Sequence, residues 1–371
     1  MTTTEELQHL AAMGNLRTIP DDTSRSCRID FTSNDYLGIG MRSDLRQEFF
    51  ETLRPEDMLM SASASRLLSR HQYMYFNLEE TLKEAYGREA LIFNSGYHAN
   101  TGLVAALARP GYVIIADKLV HASIIDGMKL SGVPFFRFRH NDIEHARLLA
   151  DKATGQGNKI LFLVESIYSM DGDTAPLRQL VELKRHYSDS LLYVDEAHAV
   201  GVEGPSGLGL SMSLGEDSDE IDVIVGTFGK ALCSVGAFAL TNAAIKQWAV
   251  NKARSFIFST ALPPLNMQWS EFIFKKALDM EEERTHLKEI SRYLGIKLGS
   301  GNQSHIQPII TGNPQKAVDM AICLANSNLT VMAIRTPTVP PGSERLRISL
   351  SASHTKDNID NLTSTLSNYE Q

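Results

Sequence analysis

Lys230 stands in the segment Gly226-Thr227-Phe228-Gly229-Lys230-Ala231-Leu232, directly after the apolar run Asp222–Val225. An amine at the exit of a buried strand, partly shielded from water, can lose its proton and condense with an aldehyde to a Schiff base. Upstream, the run Leu191–Val194 ends in Asp195, followed by Glu196, Ala197 and His198. A carboxylate there can pair with a protonated heterocyclic nitrogen, and His198 can face the same crevice. Asn94-Ser95-Gly96-Tyr97 lies between an apolar run and a helix-like stretch, and backbone N–H groups at a helix start form an anion site. His121 stands near the start of another helix, where its ring can stack on a flat ligand. Each has a plainer role when taken alone: a rim lysine, an aspartate turn cap, a tight turn, a helix-capping histidine. Together, an aldehyde-accepting amine, a carboxylate for a ring nitrogen, a phosphate pocket and a stacking imidazole are what pyridoxal 5'-phosphate (PLP) requires.

These residues need a frame that gathers the ends of several strands. From about residue 90 to 240, short apolar runs alternate with helix-like stretches: Ala90–Phe93, Tyr112–Ala116, Ile160–Val164, Leu191–Asp195, Asp222–Val225 and Ala237–Leu240. Such aliphatic runs predict strands buried on both faces of a mostly parallel sheet, and the intervening helices make βαβ units of an α/β fold. Ligands bind such sheets at the carboxyl ends of their strands. The first ninety residues differ, with a polar lead, an extended segment at Ile29–Thr32, and helix-like stretches around Ser43–Thr52 and Leu78–Tyr86. Residues Pro263–Arg292 predict one long helix. After it come strand-like HIQPIIT, helix-like AVDMAICLAN, strand-like VMAIR and RLRISL and a final helix, the pattern of a small α+β domain. The expected division is an N-terminal segment 1–45, a large α/β domain 46–265 and a small domain 266–371.

Composition bounds the function. With 371 residues, 43% hydrophobic and 22% charged, the chain has the make-up of a globular protein of about two domains. A net charge of −8 argues against a nucleic-acid partner, because no basic excess exists to displace phosphate counterions. Three cysteines (Cys27, Cys233 and Cys323) form no C-x-x-C pair, which points to a reducing cytoplasm. The N-terminal MTTTEELQHLAAMGN is unlike a signal or transit peptide, and no apolar run approaches the roughly twenty residues of a membrane span. No histidine pair has H-x-x-x-H or H-E-x-x-H spacing. His140 and His145 read as a surface turn, so no metal site is expected. GPSGLG (204–209) follows Asp195 instead of a first βα turn, which argues against a dinucleotide fingerprint. The run Glu281-Glu282-Glu283-Arg284 reads as a solvated helix face.

Eight segments occur in an order that goes beyond spacing: SNDYLG (33–38), FNSGYHAN (93–100), DKLVHASIIDG (117–127), ESIYSMDGD (165–173), VDEAHAVGVEGPSGLG (194–209), TFGKAL (227–232), FSTALPP (258–264) and RTPTVPPGSERLRISL (335–350). Together they resemble the α-oxoamine synthases, PLP-dependent transferases of fold type I, over nearly the whole chain. The resemblance implies a large domain with a seven-stranded, mostly parallel sheet and a small C-terminal domain. It implies that Lys230 forms the Schiff base with PLP, Asp195 keeps the ring nitrogen protonated, and His121 stacks on the ring. Ser169, His198 and Thr227 would contact the cofactor's 3'-oxygen and phosphate region, and Gly96 and Tyr97 the phosphate end. Ser259 and Thr260 would reach the phosphate from the partner subunit of a homodimer with shared active sites. Arg17, Asn34, Thr338 and Arg347 match substrate positions, with Arg347 the clamp for an amino-acid carboxylate. At one place the pattern departs: Arg70 stands where a glycine is usual, and Ser61, Ser63 and Ala64 occupy positions where glycines are common. An arginine at 70 would strain a turn needing positive φ or reach an anionic acyl group.

The activity implied is decarboxylative condensation of an amino acid, L-alanine, with an acyl thioester, pimeloyl-CoA or its acyl-carrier-protein form, in biotin biosynthesis. Serine- and glycine-using members of the family are the alternatives within it. An inactive scaffold of the same fold is the alternative outside it, against which the intact Lys230, Asp195, His121 and His198 argue.

Overall fold

The computed structural model describes residues 2–19, 29–70 and 72–369; Cys27 lies outside them. The chain forms two compact units, one of residues 39–168 and 174–281, the other of residues 1–38, 169–173 and 282–371. The boundary thus falls after Glu281, and the N-terminal segment groups with the C-terminal residues.

The first unit is built on seven strands: β1 (Glu89–Phe93), β2 (Tyr112–Asp117), β3 (Phe135–Phe138), β4 (Lys159–Glu165), β5 (Leu191–Asp195), β6 (Val223–Thr227) and β7 (Ala237–Thr241). Their order is β1-β7-β6-β5-β4-β2-β3. Only β7 runs antiparallel to its neighbours β1 and β6; every other pairing is parallel. Strands β2, β6 and β7 are buried at every position, as expected of runs apolar on both faces. The edge strand β3 escaped the sequence reading. Three of its four residues are exposed, and it pairs on one side only, with β2.

Two helices bear on the site. Helix α1 (Gly96–Leu107) is capped by Ser95, whose hydroxyl accepts the His98 N–H. Helix α2 (Ala122–Ser131) starts at His121 and ends at Gly132 in the left-handed conformation. Gly127, one turn beyond Ser123 on the same face of α2, allows the two helices to approach closely. A Cβ there would press on the Asn100 carbonyl and on Val104.

The long helix expected over 263–292 is two helices, α3 (Pro264–Leu278) and α4 (Glu281–Lys297). The break falls at Asp279-Met280. Lys275 and Lys276 occupy the last turn of α3, and Glu281, Glu282 and Glu283 open α4. Each charge set suits the dipole end it sits on, and a continuous helix would place both sets mid-helix. Arg284 is not on a solvated face; it is buried at 1% exposure. The polar N-terminal lead also folds, as a helix over Thr3–Ala12 with a Thr2/Glu5 capping box and no buried residue.

The second unit carries a three-stranded antiparallel sheet of β8 (Ile306–Ile310), β9 (Met332–Ile334) and β10 (Arg345–Ser349), ordered β9-β10-β8. Helices Pro314–Asn326 and Lys356–Tyr369 belong to the same unit, and Ile29–Asp30 pairs in parallel with Leu329–Thr330. The pentapeptide 169–173 joins this unit through Gly172. Its φ is +73°, and a Cβ there would collide with the Ile306 carbonyl. No helix among the described residues is long and apolar enough to cross a membrane.

His354 ties the N-terminal segment into this unit. Its Nδ1 accepts the Ser351 N–H at 3.1 Å, its Nε2 donates to the Asp30 carbonyl at 3.1 Å, and its ring lies 4.4 Å from that of Phe31. Burial lowers its pKa from 6.5 to about 4, because a second proton would be desolvated and would break the Ser351 bond. Unfolded chain takes up that proton near pH 6.5 and folded chain only near 4, so stability falls as pH drops through this window. Denaturant unfolding at pH 7 and pH 4 should show His354→Gln losing about 3 kcal/mol less than wild type over that interval. Parallel losses in the two proteins would refute the assignment.

Candidate active site

Lys230 follows the end of β6 in a loop closed on itself. The Thr227 hydroxyl donates to the Gly236 carbonyl at 3.0 Å and accepts the Gly229 N–H at 3.1 Å, and the Phe228 N–H donates to the same Gly236 carbonyl. The half-buried Lys230 lies with its Nζ 2.7 Å from Nε2 of the buried His198. The loop after β5 therefore meets the loop after β6 through an amine and an imidazole.

Asp195 closes β5 and is 5% exposed. Its Oδ1 accepts the Ala197 N–H at 2.9 Å, the turn cap its type suggests, while its Oδ2 accepts the Asn100 amide of α1 at 2.6 Å. The Tyr193 hydroxyl donates to Asn100 Oδ1 at 2.6 Å, and Asn100 Nδ2 also donates to Ser123 Oγ at 2.9 Å. Ser123 in turn faces His121 Nδ1, with its hydroxyl at 2.7 Å and its backbone N–H at 3.2 Å. Nδ1 is thus the acceptor, and the proton of neutral His121 sits on Nε2. His121 caps α2 and is exposed, yet the protein crowding the rest of its ring holds its pKa below the usual value. Asp195 and Asp126 oppose that shift, and Lys230 adds to it. His121 therefore feels the charges of both Lys230 and Asp195.

At the start of α1, Gly96 faces open space where a Cβ would meet nothing. The first N–H groups of a helix lack partners within it, and here they belong to Gly96 and Tyr97. The Tyr97 ring is half-exposed, and its hydroxyl donates to Asp126. The Thr260 carbonyl accepts the Asn94 amide at 2.6 Å in the same chain, and Thr260 bridges to Ser65. The Thr260 side chain is exposed and Ser259 half-buried.

The remaining expected site residues lie in the second unit. The buried Arg347 of β10 donates from Nε to the Ser169 carbonyl at 2.6 Å and from Nη2 to Asn34 Oδ1 at 3.1 Å. The Tyr36 hydroxyl donates to that same Asn34 oxygen at 3.0 Å. Arg17 Nη2 donates to Thr338 Oγ1 at 2.7 Å on an exposed surface. Nine of the sequence-expected residues thus fall into three clusters: Lys230 and His198, with His121 and Asp195 close by; Arg347, Asn34 and Ser169; and Arg17 and Thr338.

A profile of the aminotransferase class I and II family matches residues 28–366. The chain belongs to this family. A curated relative, 8-amino-7-oxononanoate synthase of Haemophilus ducreyi, is 42% identical over 96% of the chain and 98% of its own length. Among solved structures, a serine palmitoyltransferase variant from S. paucimobilis with a bound PLP–myriocin aldimine superposes at TM-score 0.86, with 28% identity over 98% of this chain and 95% of that one. The 8-amino-7-oxononanoate synthase of Francisella tularensis superposes at 0.72, with 26% identity over 94% and 99%.

In this class I and II aminotransferase-family chain, two polar residues beyond the expected set organise the site. One is Asn100. The other is Glu196, fully buried, whose carboxylate accepts the hydroxyls of Ser166 and Ser211 and the N–H groups of Leu210 and Ser211. Burial pushes its pKa up, and those four donors oppose the rise. It pins the GPSGLG loop against the strand-end turn that carries His198. Both residues lie inside quoted motifs, and their polarity within otherwise apolar or turn-forming surroundings was the available signal.

Other expectations need adjustment. His140 is not a plain surface residue, since its Nδ1 bonds the fully buried Asp117 at 2.9 Å and its ring edge meets Tyr168. Arg70 is exposed, and its φ is not positive, so no turn is strained there. The left-handed residue of that stretch is Ser63, with φ +49°.

Glu196→Ala would leave three buried donors and one half-buried donor without an acceptor. The expected cost is about 3 kcal/mol or more, read as a lower denaturant midpoint. Proteolysis within residues 204–211 should accelerate as well. A midpoint within error of wild type would show that the loop does not depend on this carboxylate.

Proposed function

We propose that the chain is a PLP-dependent acyltransferase that condenses L-alanine with a pimeloyl thioester. The products are 8-amino-7-oxononanoate, carbon dioxide and the free thiol, a step of biotin biosynthesis. The observation that carries this reading is the 42% identity to a curated synthase of that name across the whole chain. Serine palmitoyltransferase is favoured by the higher TM-score, 0.86 against 0.72. Backbone shape is common to the family, however, whereas substrate choice lies in side chains, and identity there is 28%.

The residues fit PLP on their own chemistry. A half-buried amine lies 2.7 Å from an imidazole nitrogen, a buried carboxylate ends the neighbouring strand, and a helix N-terminus opens onto free space at Gly96. When bound, PLP supplies an electron sink for the bond cleavages at the amino-acid α-carbon. Lys230 holds the cofactor and moves the α-proton, with His198 beside its Nζ to share that proton. Asp195 keeps a ring nitrogen charged. His121, neutral with its proton on Nε2, stacks as an uncharged ring and offers one N–H donor. The Gly96 and Tyr97 N–H groups meet the phosphate, with Thr227 and Ser169 as further polar contacts. Arg347, fixed by Ser169 and Asn34, uses its remaining N–H donors for the amino-acid carboxylate. Arg17 and Thr338 serve the acyl substrate. Ser259 and Thr260 complete the phosphate site of a second copy, which makes the functional unit a cytoplasmic homodimer.

A substrate panel tests the reading: alanine, serine and glycine, each with acetyl-, pimeloyl- and palmitoyl-CoA and with the pimeloyl carrier protein. Alanine with a pimeloyl thioester should release thiol fastest and give the expected mass. Serine with palmitoyl-CoA leading would overturn the assignment. Lys230→Ala should abolish turnover in every pairing while its melting temperature and oligomeric state stay unchanged.

Mixed assemblies test the shared site. Lys230→Ala and a Ser259→Ala/Thr260→Ala double variant, co-assembled at limiting PLP, place both lesions in one site of each heterodimer and leave the other site intact. Activity above that of either parent is expected. Statistical heterodimer formation without such a gain would exclude the cross-subunit contact.

A further inference from the structure

We propose that Asn100 is a positioning residue of the cofactor site, its amide oriented by Tyr193 so that it locks the plane of the Asp195 carboxylate. The inference rests on the reading above that Asp195 meets the ring nitrogen of PLP, and it assigns a role to two residues outside the expected site.

A side-chain amide has one accepting end and one donating end. The Tyr193 hydroxyl lies 2.6 Å from Asn100 Oδ1 and fixes which end is which. Burial, and the nearby charge of Asp195, push the Tyr193 pKa well up, so its phenol stays protonated and donating. Both amide N–H groups are then committed, one to Asp195 Oδ2 at 2.6 Å and one to Ser123 Oγ at 2.9 Å. The reversed amide would bring its oxygen to 2.6 Å from a carboxylate oxygen, which is repulsive. Asn100 is 1% exposed, and Tyr193 and Ser123 are fully buried. In such a dry setting each bond is strong, and water cannot replace one that is lost.

Asp195 has one internal donor on each oxygen, Ala197 N–H on Oδ1 and Asn100 on Oδ2. The first is local to its own turn and moves with it. The second comes from a different element, α1, and is the one able to stop the carboxylate from turning about its Cβ–Cγ bond. Gly127 makes that reach possible, because the close approach of α1 and α2 brings Asn100 and Ser123 within bonding distance. Tyr193 lies two residues before Asp195 on the same face of β5, so the strand that presents the carboxylate also orients the amide that holds it.

A role confined to folding would weaken every ligand of the site alike. A role through Asp195 would weaken only ligands that carry the ring nitrogen. The experiment titrates PLP and its 1-deaza analogue, in which a CH replaces that nitrogen, into the full-length chain as wild type, Asn100→Ala and Tyr193→Phe, reading dissociation constants by absorbance. Wild type should prefer PLP. Asn100→Ala should lose about tenfold in PLP affinity, the worth of one charge-assisted hydrogen bond, with the deaza analogue nearly unchanged. Tyr193→Phe, which removes one hydroxyl and keeps the ring that packs the core, should give the same pattern at roughly threefold. It decides the matter alone if Asn100→Ala does not fold. Equal losses for both ligands, or full retention of the preference in either folded variant, would overturn the inference while leaving the PLP reading intact. A wild type that binds both ligands equally would instead remove the Asp195 contact on which both stand.

Discussion

An aspartate carboxylate that is 5% exposed must find donors inside the protein, and Asp195 finds them on two separate elements. One is its own turn, through the Ala197 N–H; the other is α1, through Asn100. The second bond requires α1 to lie across the end of β5 at a fixed height. That in turn requires the glycine at 127, the serine at 123 and the tyrosine at 193. The polar network at the carboxyl edge of the sheet and the helix packing over it are therefore one arrangement. The His121 tautomer is set by the same serine that the amide engages.

Six of the seven strands were legible because they are largely buried, so each appears as an uninterrupted aliphatic run. What stayed hidden were elements whose stability does not come from burial. Strand β3 is an edge with an exposed face, and the N-terminal helix over Thr3–Ala12 buries nothing and rests on its capping box. The break between α3 and α4 was written in the chain as two lysines followed by three glutamates. Hydrophobic periodicity runs through such a point and does not register it.

For the candidate site, Lys230, Asp195, His121 and His198 stood out because reactive side chains directly follow strand-like runs or open helices. Asn100 and Glu196 were harder to see. Beyond their polarity within quoted motifs, nothing in the sequence marks them as buried, and both act through partners distant along the chain, Tyr193 and Asp195 for one, Ser166 and Ser211 for the other. Arg284 is the mirror case, a charged residue in a charged run whose burial only packing decides.

The pentapeptide 169–173 belongs to the second unit while the chain on either side of it belongs to the first. Its attachments are made to residues far along the sequence: Asp171 to Arg345 and Asn302, Ser169 to Arg347, and Gly172 against Ile306. A polypeptide ending at Glu281 would keep the whole seven-stranded sheet and still lose every one of these anchors. The two units cannot be exchanged between proteins as cassettes joined at a single hinge, since the thread passes from one to the other and back in the middle of the larger. Unfolding of the C-terminal residues must therefore release a strip of chain at the exit of β4.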